Sequence, residues 1–424
     1  MNRFFIILIF FFLVLFGAWS LVIHFIIPRF DVEIENSIDG IHPDQLEPNY
    51  WNFRGKKSIL LGGSIEDNLF QINHLQQHLD SLVLAGGNYV RNTLSSRDPG
   101  DIWAFKRLEN GLFDLNQWNE DYWQRLEHFL MATSQRNIVV QVELWATFDF
   151  YRNEWLKNPY NPVNNINYDS VISRLPSQIP FHPIYARNPF FRSVPDADCN
   201  LKLLEFQQKF IDKVLAHTLL YNHVLYCIDN ETSVTASWGR FWSSYLKKKA
   251  SEAGKTIYTT EMWDPHDLNH LIHRETFDHP EVYDFVEISQ NNHQQGDKHW
   301  ENGLFQLNRI AKSEVLRPAN NVKVYGNDGG AHKNSQHGIE CFVRNVLLGS
   351  ASTRFHRPPS GHGLSSTAFH VIKSMRSYVE KCDFYQAQPM NELLTNREYN
   401  EAYCRAIKGK EYAVYFTNGG EVLL

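Results

Sequence analysis

The sequence predicts an α/β protein folded as a closed (β/α)8 barrel, the TIM barrel. Strand-like and helix-like segments alternate eight times, the strand-like segments are short and largely apolar, and Gly62-Gly63-Ser64 lacks the rest of a dinucleotide-binding fingerprint. Apolar strands joined by helices indicate a parallel sheet covered on both faces, and the count of eight favours a closed barrel over an open sheet. Such a barrel takes about 250 residues, so 424 residues allow one barrel with short additions.

Apolar runs bounded by turn residues define the predicted strands. SILLG opens the series, NYVRN follows Gly86-Gly87, and IVVQVE and HVLYCID are the third and fourth runs. Runs of this kind are typical of strands buried on both faces. The eight predicted strands cover residues 58–62, 88–92, 138–143, 223–229, 256–260, 283–289, 321–325 and 351–355.

Between these runs, apolar residues recur every three or four positions, the spacing of one helix face. Gly254 ends one such segment, as a glycine after a helix does. The predicted helices cover residues 72–84, 118–133, 201–220, 238–253, 300–313, 336–348 and 365–380. A polar stretch rich in Pro and Asn at 152–200 is too long for a simple connection, which predicts a functional loop that shapes the cleft.

The first 30 residues predict membrane targeting. After Arg3, residues 4–28 are apolar apart from Ser20 and His24, and about 20 apolar residues span a bilayer. Because Gly17-Ala18-Trp19-Ser20 is a poor cleavage site, an uncleaved transmembrane signal anchor is favoured over a cleaved signal peptide. Arg3 before the run places the N-terminus in the cytoplasm. With either form, the folded part is expected outside the cytoplasm, membrane-anchored or secreted.

The domain organisation follows from changes in pattern along the chain. Residues 1–30 are the signal anchor or signal peptide, 31–48 a polar linker, 49–385 the barrel, and 386–424 a short C-terminal antiparallel β unit. Strands are predicted in this last unit at 402–405, 411–416 and 421–424. An independent sandwich takes about 100 residues. The unit therefore either packs on the barrel or begins a larger module.

Composition excludes several classes of partner and cofactor. The net charge is −6 without a basic run, which argues against nucleic acid. The five cysteines are scattered and odd in number, so they predict free thiols rather than a disulfide framework. His266, His270 and His273 have helical spacing but no HExxH arrangement, so neither a metal nor another cofactor is predicted. The absence of a GxSxG sequence argues against an esterase of the α/β-hydrolase kind.

Candidate site residues stand at the carboxyl ends of the predicted strands, where (β/α)8 barrels carry their functional groups. Strands two to eight are each followed by polar or aromatic side chains that a packing core does not need. These are Arg91, Glu143, Trp145, Asn230, Glu231, Glu261, Trp263, Asn291, Asn292, His293, Asn327, Asp328, Arg354 and His356.

Glu231 is the strongest catalytic candidate among them. Cleavage of a glycoside needs one carboxylic acid to protonate the leaving oxygen and one carboxylate to attack the sugar carbon or activate water. Glu231 directly follows the fourth strand and is placed for the first role, while Asn230 can donate to a sugar hydroxyl. Alternatively, the Asn-Glu pair only caps the next helix.

These residues resemble a known family. CIDNE at 227–231 is similar to the strand-four Asn-Glu motif of the large clan of retaining (β/α)8 glycoside hydrolases. NEAYC at 400–404 and GKEYAVYF at 409–416 resemble the tail of apiosidase-like barrels that carry a putative collagen-binding β domain. RFHRPPSG at 354–361 and ISQNNH at 288–293 resemble segments of the same group. The resemblance covers residues 48–424.

The resemblance implies that Glu231 is the acid/base and that a nucleophile stands at the end of strand seven. The clan carries Glu there, whereas this chain offers Asp328, which is one methylene shorter. Retaining enzymes hold their two carboxyl groups about 5–5.5 Å apart and inverting enzymes about 6.5–9.5 Å, so the shorter side chain leaves the stereochemistry open. Glu143 and Glu261 are the reserve carboxylates.

The function predicted from these features is hydrolysis of O-glycosidic bonds in a poly- or oligosaccharide. Glu231 would be the acid/base and Asp328 the nucleophile or water-activating base, with no cofactor. The remaining groups would bind substrate, with two aromatic side chains as a stacking wall: Arg91, Glu143, Asn230, Glu261, Asn291, His293, Arg354, His356, Trp145 and Trp263. The alternative is a non-catalytic carbohydrate-binding or surface-adhesion protein on a degenerate barrel.

Overall fold

The computed structural model describes residues 40–182, 187–232, 234–397 and 401–424. The segment predicted as signal anchor or signal peptide at 1–30, and the linker predicted at 31–48 up to residue 39, lie outside the described residues. In the described ranges, no helix is both long and apolar enough to cross a bilayer.

Eight parallel strands, numbered β1 to β8 in chain order, form the centre of the fold. They are β1 Leu60–Gly63, β2 Tyr89–Thr93, β3 Val139–Trp145, β4 Val224–Asp229, β5 Thr259–Thr260, β6 Val286–Glu287, β7 Ala319–Asn320 and β8 Ser352–Phe355. Six of them pair in the order β5-β4-β3-β2-β1-β8, and β6 pairs with β7. The Asp284 amide donates to the Thr259 carbonyl and the Ala351 amide to the Ala319 carbonyl, both at 2.8 Å, which joins the two sheets into a ring.

Amphipathic helices surround this ring. The long ones are Leu75–Leu84, Glu120–Gln135, Leu201–Thr218, Ala236–Glu252, Gly296–Ala311, Ser335–Leu348 and Ser366–Lys381. Each buries its apolar stripe against the strands. Side-chain caps begin three of them: Asn200, Asn334 and Ser365 each accept from a backbone amide in the first turn. Gly349, at φ 85°, ends the sixth.

Shorter elements occupy the connections. A hairpin of Phe105–Arg107 and Phe113–Trp118 lies between β2 and β3, and a small sheet of His42–Pro43, Trp51–Phe53 and Lys56–Ser58 precedes β1. The short helices are Leu69–Gln71, Thr147–Phe150, Arg152–Trp155, Ser170–Ser173, Pro189–Arg192, Leu271–His273, Arg274–Phe277, Ser289–His293 and Asn391–Leu393.

Strand seven is the barrel strand whose position was predicted least accurately from the sequence. An apolar run predicted it at 321–325, but its ladder pairing with β6 is at Ala319–Asn320, and only Val324 of the predicted run bridges to Phe355. Asn320 is tolerated inside the barrel because its side chain accepts from the Trp51 indole at 2.8 Å and donates to Tyr89.

The C-terminal β unit is an antiparallel sheet in the order Gln388–Pro389, Ala402–Ile407, Glu411–Phe416. The strand predicted at 421–424 makes a single bridge, from Leu423 to Thr395. The sheet packs on the barrel helices: the Tyr403 ring lies 5.1 Å from Trp300, and the buried Arg405 donates to the Leu347 carbonyl at 3.1 Å.

Candidate functional site

A cavity of about 480 Å³ opens at the carboxyl ends of the barrel strands. This volume is in the range of small-molecule sites. Its lining is rich in charged groups and rings, contributed by loops after β1, β2, β3, β4 and β8 and by the chain after β7. The lining residues are Asp67, Arg97, Phe148, Tyr151, Arg152, Asn153, Glu154, Asn230, Glu231, Lys323, Tyr325, His332, His356, Arg357, Pro359 and Ser360.

Glu231 stands in a strained turn directly after β4. The Asn230 amide donates to the Trp145 carbonyl of β3 at 3.1 Å, and the Thr232 amide donates to the Met262 carbonyl after β5 at 3.2 Å. Held between two neighbouring strands, Glu231 adopts φ +55°, the left-handed region that a non-glycine residue occupies at a cost. Such strain tends to occur at functional positions.

One oxygen of Glu231 is anchored and the other is free. Oε1 accepts from the Tyr325 hydroxyl at 2.9 Å, pairs with Lys323 Nζ at 2.9 Å, and lies 3.4 Å from the Gln290 amide nitrogen. No side chain in the described part of the protein bonds to Oε2, and the Glu231 side chain is 12% exposed. Glu231 lines the cavity, so its carboxylate is accessible to a bound ligand. It does not cap the following helix, which begins at Ala236 after Thr235.

The environment of Glu231 keeps it ionised. Burial raises the pKa of this carboxyl, but the charge and hydrogen bond of Lys323, the Tyr325 hydroxyl and the charge of Arg91 together lower it below its ordinary value. A general acid needs the opposite direction, a raised pKa. In this geometry Glu231 is suited to act as a carboxylate rather than as a proton donor.

Lys323 lies where a second carboxylate was expected. It follows β7, its side chain is only 2% exposed, and it donates to Asn230 Oδ1 as well as pairing with Glu231. The predicted partner, Asp328, does not line the cavity. It is exposed, and its Oδ1 accepts from the Ser335 amide at 3.0 Å at the start of helix Ser335–Leu348. The structure thus brings a cation, and not Asp328, to Glu231.

Arg91 and Glu143 do not line the cavity and form a buried ion network with Asp67. Arg91 donates through Nε to Glu143 at 2.6 Å and through Nη1 to Asp67 at 2.5 Å, and neither Arg91 nor Glu143 is exposed. Asp67 also binds Arg97 at 2.9 Å and Arg357 at 3.2 Å. Burial raises the pKa of Asp67, but Arg91, His356 and the other two arginines outweigh it and hold the pKa well below its ordinary value.

The two tryptophans predicted as a stacking wall are core residues. Trp145 and Trp263 are each 1% exposed, and neither lines the cavity. Trp145 packs among the rings of Phe190 and Phe210, each 5.4 Å away, and Trp242 at 5.5 Å. Rings at the cavity come from Phe148, Tyr151 and Tyr325 instead.

Three further predicted residues have structural contacts. Buried Arg354 donates to Ser64 Oγ at 2.9 Å and to the Val322 carbonyl at 2.7 Å. Buried Asn291 donates to the His299 carbonyl at 2.9 Å. Glu261 accepts from the Asp229 and Met262 amides, and burial together with the charge of Asp229 raises its pKa well above the ordinary value. None of the three lines the cavity.

His356 does line the cavity, with its ring 5.0 Å from that of Tyr325. The His293 ring lies 4.8 Å from that of Tyr325 and stacks on the His266 ring at 3.5 Å. Burial lowers the pKa of His293 to about 3. Burial also lowers the pKa of His356 and that of His266, so these imidazoles are neutral at physiological pH. Of the predicted site residues, Asn230, Glu231 and His356 line the cavity.

Sequence patterns did not single out several lining residues, chiefly Asp67, Arg97, Arg152, Lys323, Tyr325, His332 and Arg357. Two of them carried a signal. In VKVYG at 322–326, Lys and Tyr alternate with Val, whereas the other barrel strands are nearly continuous apolar runs. Alternation places both polar side chains on one face of the chain.

No family model and no curated protein matches the sequence. Among solved structures, the glycoside hydrolase family 5 mannosidase from Rhizomucor miehei has a TM-score of 0.55 at 14% identity, covering 82% of this chain and 99% of its own. The endo-1,4-beta-mannanase from the same organism has a TM-score of 0.54 at 10% identity, covering 81% and 100%. A glycoside hydrolase family 5 protein from Bacteroides vulgatus ATCC 8482 has a TM-score of 0.50 at 12% identity, covering 89% and 80%. This likeness confirms the predicted α/β barrel fold.

Proposed function

We propose that the protein hydrolyses O-glycosidic bonds of a poly- or oligosaccharide, with Glu231 as the essential carboxylate. The observation that carries this proposal is the geometry of Glu231: Oε1 is fixed by Lys323 and Tyr325, and the residue lines the cavity. Glycoside cleavage passes through a transition state with positive charge on the sugar ring. A fixed, ionised carboxylate in a largely buried site stabilises that charge, because the side chain does not have to reorient as the charge develops.

The choice of substrates to test follows from the likenesses. Solved structures that share the fold include a mannosidase in complex with mannosyl-fructose and an endo-1,4-beta-mannanase, so mannosides come first. The C-terminal segments resemble those of apiosidase-like barrels with a putative collagen-binding domain, so apiosides come second. The apolar run at 4–28 supports a location outside the cytoplasm, so extracellular polysaccharides are included among the substrates.

A sugar-release screen of the full chain tests the proposal. Wild-type protein and Glu231→Gln would be incubated with mannans, plant and microbial polysaccharides, and aryl mannosides and apiosides, and reducing ends and released aryl groups would be measured. We expect the wild type to release sugar from at least one substrate and the variant to release none. Absence of release by the wild type from every substrate would refute hydrolysis.

A second candidate function, carbohydrate binding without catalysis, is favoured by one observation. Lys323 occupies the place beside Glu231 where a second carboxylate was expected, and Asp328 lies outside the cavity. Calorimetric titration of the same oligosaccharides separates the two functions. Tight binding without sugar release would establish the binding protein on a degenerate barrel.

Lys323→Met should change the pH dependence of glycoside turnover. Lys323 opposes the effect of burial on the Glu231 carboxyl, so its removal should raise the pKa of Glu231. More of the carboxyl is then protonated and inactive in mild acid, and the acidic limb of the kcat/KM profile moves to higher pH. Lys248→Met, at a side chain 74% exposed, is the matched control and should leave the profile unchanged. An unmoved acidic limb in Lys323→Met would contradict the pairing.

Asp328→Ala should affect stability and not turnover. Its carboxylate accepts from the Ser335 amide on the protein surface, so its loss should lower the free energy of unfolding by about 0.5–1 kcal/mol, as for other helix-terminus contacts. Turnover should stay within about twofold of the wild type. Urea denaturation and steady-state kinetics measure the two effects. A loss of turnover comparable to that of Glu231→Gln would restore Asp328 as a catalytic residue.

A further inference from the structure

Cations outnumber acids in the lining of the cavity, histidines apart. The cations are Arg97, Arg152, Lys323 and Arg357, and the acids are Asp67, Glu154 and Glu231. Most of these cations already have a carboxylate partner within the protein. Lys323 pairs with Glu231 at 2.9 Å. Arg97 and Arg357 both bind Asp67, at 2.9 Å and 3.2 Å.

Arg152 is the lining cation without such a partner. Among the described residues, no carboxylate pairs with its guanidinium and no oxygen accepts a hydrogen bond from it. The acid closest to it along the chain, Glu154, pairs with Lys157 at 3.2 Å instead. An arginine is charged at every physiological pH. The guanidinium of Arg152 is therefore available to an anionic group on a ligand.

Arg152 is held in place by contacts that leave its guanidinium donors unused. Its backbone has φ +52°, in the left-handed region that costs a non-glycine residue free energy, and its amide donates to the Ile179 carbonyl at 2.6 Å. Its guanidinium carbon lies 5.2 Å from the centre of the Tyr151 ring, a contact that attracts a cation. Tyr151 also lines the cavity and is only 8% exposed.

Arg97 repeats this arrangement on the neighbouring ring. Its guanidinium carbon lies 5.0 Å from the centre of the Phe148 ring, which is 6.0 Å from that of Tyr151. Phe148 and Arg97 both line the cavity. Although Arg97 binds Asp67, its buried Nε has no hydrogen-bond partner among the described residues. The cavity lining thus contains two arginines, each stacked on a ring and each with an N–H group that the protein does not use.

We propose that the sugar recognised in this cavity is acidic, and that its carboxylate or sulfate group binds Arg152. This inference rests on the proposed action on carbohydrates and narrows the substrates to glycans that contain uronic acids or sulfate esters. Both groups present at least two oxygens, which match the planar fork of a guanidinium. A neutral mannoside leaves Arg152 without a charged partner.

Calorimetric titration of the full chain with matched acidic and neutral oligosaccharides tests this specificity. The carboxylate probes are oligomers of mannuronic and galacturonic acid and of glucuronoxylan, each compared with its carboxyl-reduced form. The sulfate probe is a sulfated galactan oligomer, compared with its desulfated form. For a probe that is cleaved during the titration, kcat/KM replaces the affinity. We expect at least one acidic probe to be preferred over its neutral form by about tenfold, and this preference should decrease as the salt concentration is raised.

Arg152→Met removes the charge and keeps much of the side-chain length. It should abolish the preference by weakening binding of the acidic probe about tenfold or more, with the neutral form changed by less than about twofold. The matched control is Arg187→Met, an exposed arginine of the same long stretch that does not line the cavity, and it should behave like the wild type. Because Arg152 is exposed as well, both variants should keep the wild-type melting temperature.

The outcomes separate this proposal from that of hydrolysis. A preference that survives in Arg152→Met, or a wild type that binds no acidic probe more tightly than its neutral form, would overturn the acidic specificity, and hydrolysis would stand if neutral glycosides were cleaved. Binding that depends on Arg152 without sugar release from any substrate would refute hydrolysis and leave the acidic-sugar site in place. A preference confined to the carboxyl-reduced pairs would identify a uronic acid, and one confined to the desulfated pair a sulfate ester.

Discussion

Glu231→Gln should lower kcat for glycoside hydrolysis by at least about 10³-fold, the largest effect on activity of any substitution in this protein. The amide keeps the shape of the side chain, and its oxygen can still accept from Tyr325. It carries no negative charge, so it can neither bond to the anomeric carbon nor stabilise the charge on the sugar ring. Oligosaccharide binding, which depends on the rest of the cavity, should be retained within about tenfold.

The same substitution should lower stability to a smaller degree. Lys323 is almost fully buried and would lose its charged partner, while keeping Asn230 as an acceptor. A hydrogen bond to a charged group contributes about 1.5–3 kcal/mol, so kinetics should be measured well below the melting temperature. Glu252→Gln, a side chain 56% exposed, controls for the loss of one surface charge. Retention of more than about a tenth of kcat by Glu231→Gln would remove Glu231 from the mechanism.

The barrel could be predicted because its strands are short apolar runs whose burial does not depend on their neighbours' identity. HVLYCID predicted β4 at 223–229, and the structure has Val224–Asp229. Glu231 was found for the same reason, since it directly follows the clearest of these runs. Strand seven was misplaced because Asn320 is polar in sequence and becomes acceptable only through Trp51, a residue distant along the chain.

The site was predicted less well because depth along a strand cannot be inferred from sequence. Arg91 was expected at the mouth of the barrel, but its side chain is fully buried and forms an ion pair with Glu143. Lys323 was not predicted as a site residue because it lies inside the strand predicted at 321–325, yet its side chain forms an ion pair with Glu231. Trp145 was expected in a stacking wall because it follows the third predicted strand, but the sequence does not show which rings pack over it. Phe190, from the long stretch at 152–200, packs against Trp145 with the ring centroids 5.4 Å apart.

Arg91→Met should lower the free energy of unfolding by about 3–5 kcal/mol, the largest effect on stability. Arg91 is the shared partner of Asp67 and Glu143, and all three side chains are at most 3% exposed. Methionine fills much of the arginine volume but leaves two carboxylates facing each other without the central cation. Arg97 and Arg357 still reach Asp67, whereas Glu143 has no other ion-pair partner among the described residues.

The pH dependence of this loss distinguishes the ion network from simple packing. In the wild type the pKa of Asp67 is held well below its ordinary value, so the network contributes fully above about pH 4, the ordinary range of an Asp carboxyl. This contribution is lost as the pH falls below that range. Removing Arg91 also lets the Asp67 carboxyl take up a proton more easily, so wild type and variant should converge in acid. Urea denaturation at pH 7 and at about pH 3 measures the difference above and below that range.

A surface ion pair provides the control for this comparison. Arg136 binds Asp80 at 2.7 Å, but the Asp80 side chain is 60% exposed. Arg136→Met should therefore cost less than about 1 kcal/mol at either pH, as exposed pairs do. If Arg91→Met cost no more than Arg136→Met, or if its cost were the same at pH 7 and at about pH 3, packing and not charge would account for the contribution of Arg91 to stability. The charge of Arg91 also helps to lower the pKa of Glu231. In that case the low pKa would depend on Lys323 and Tyr325.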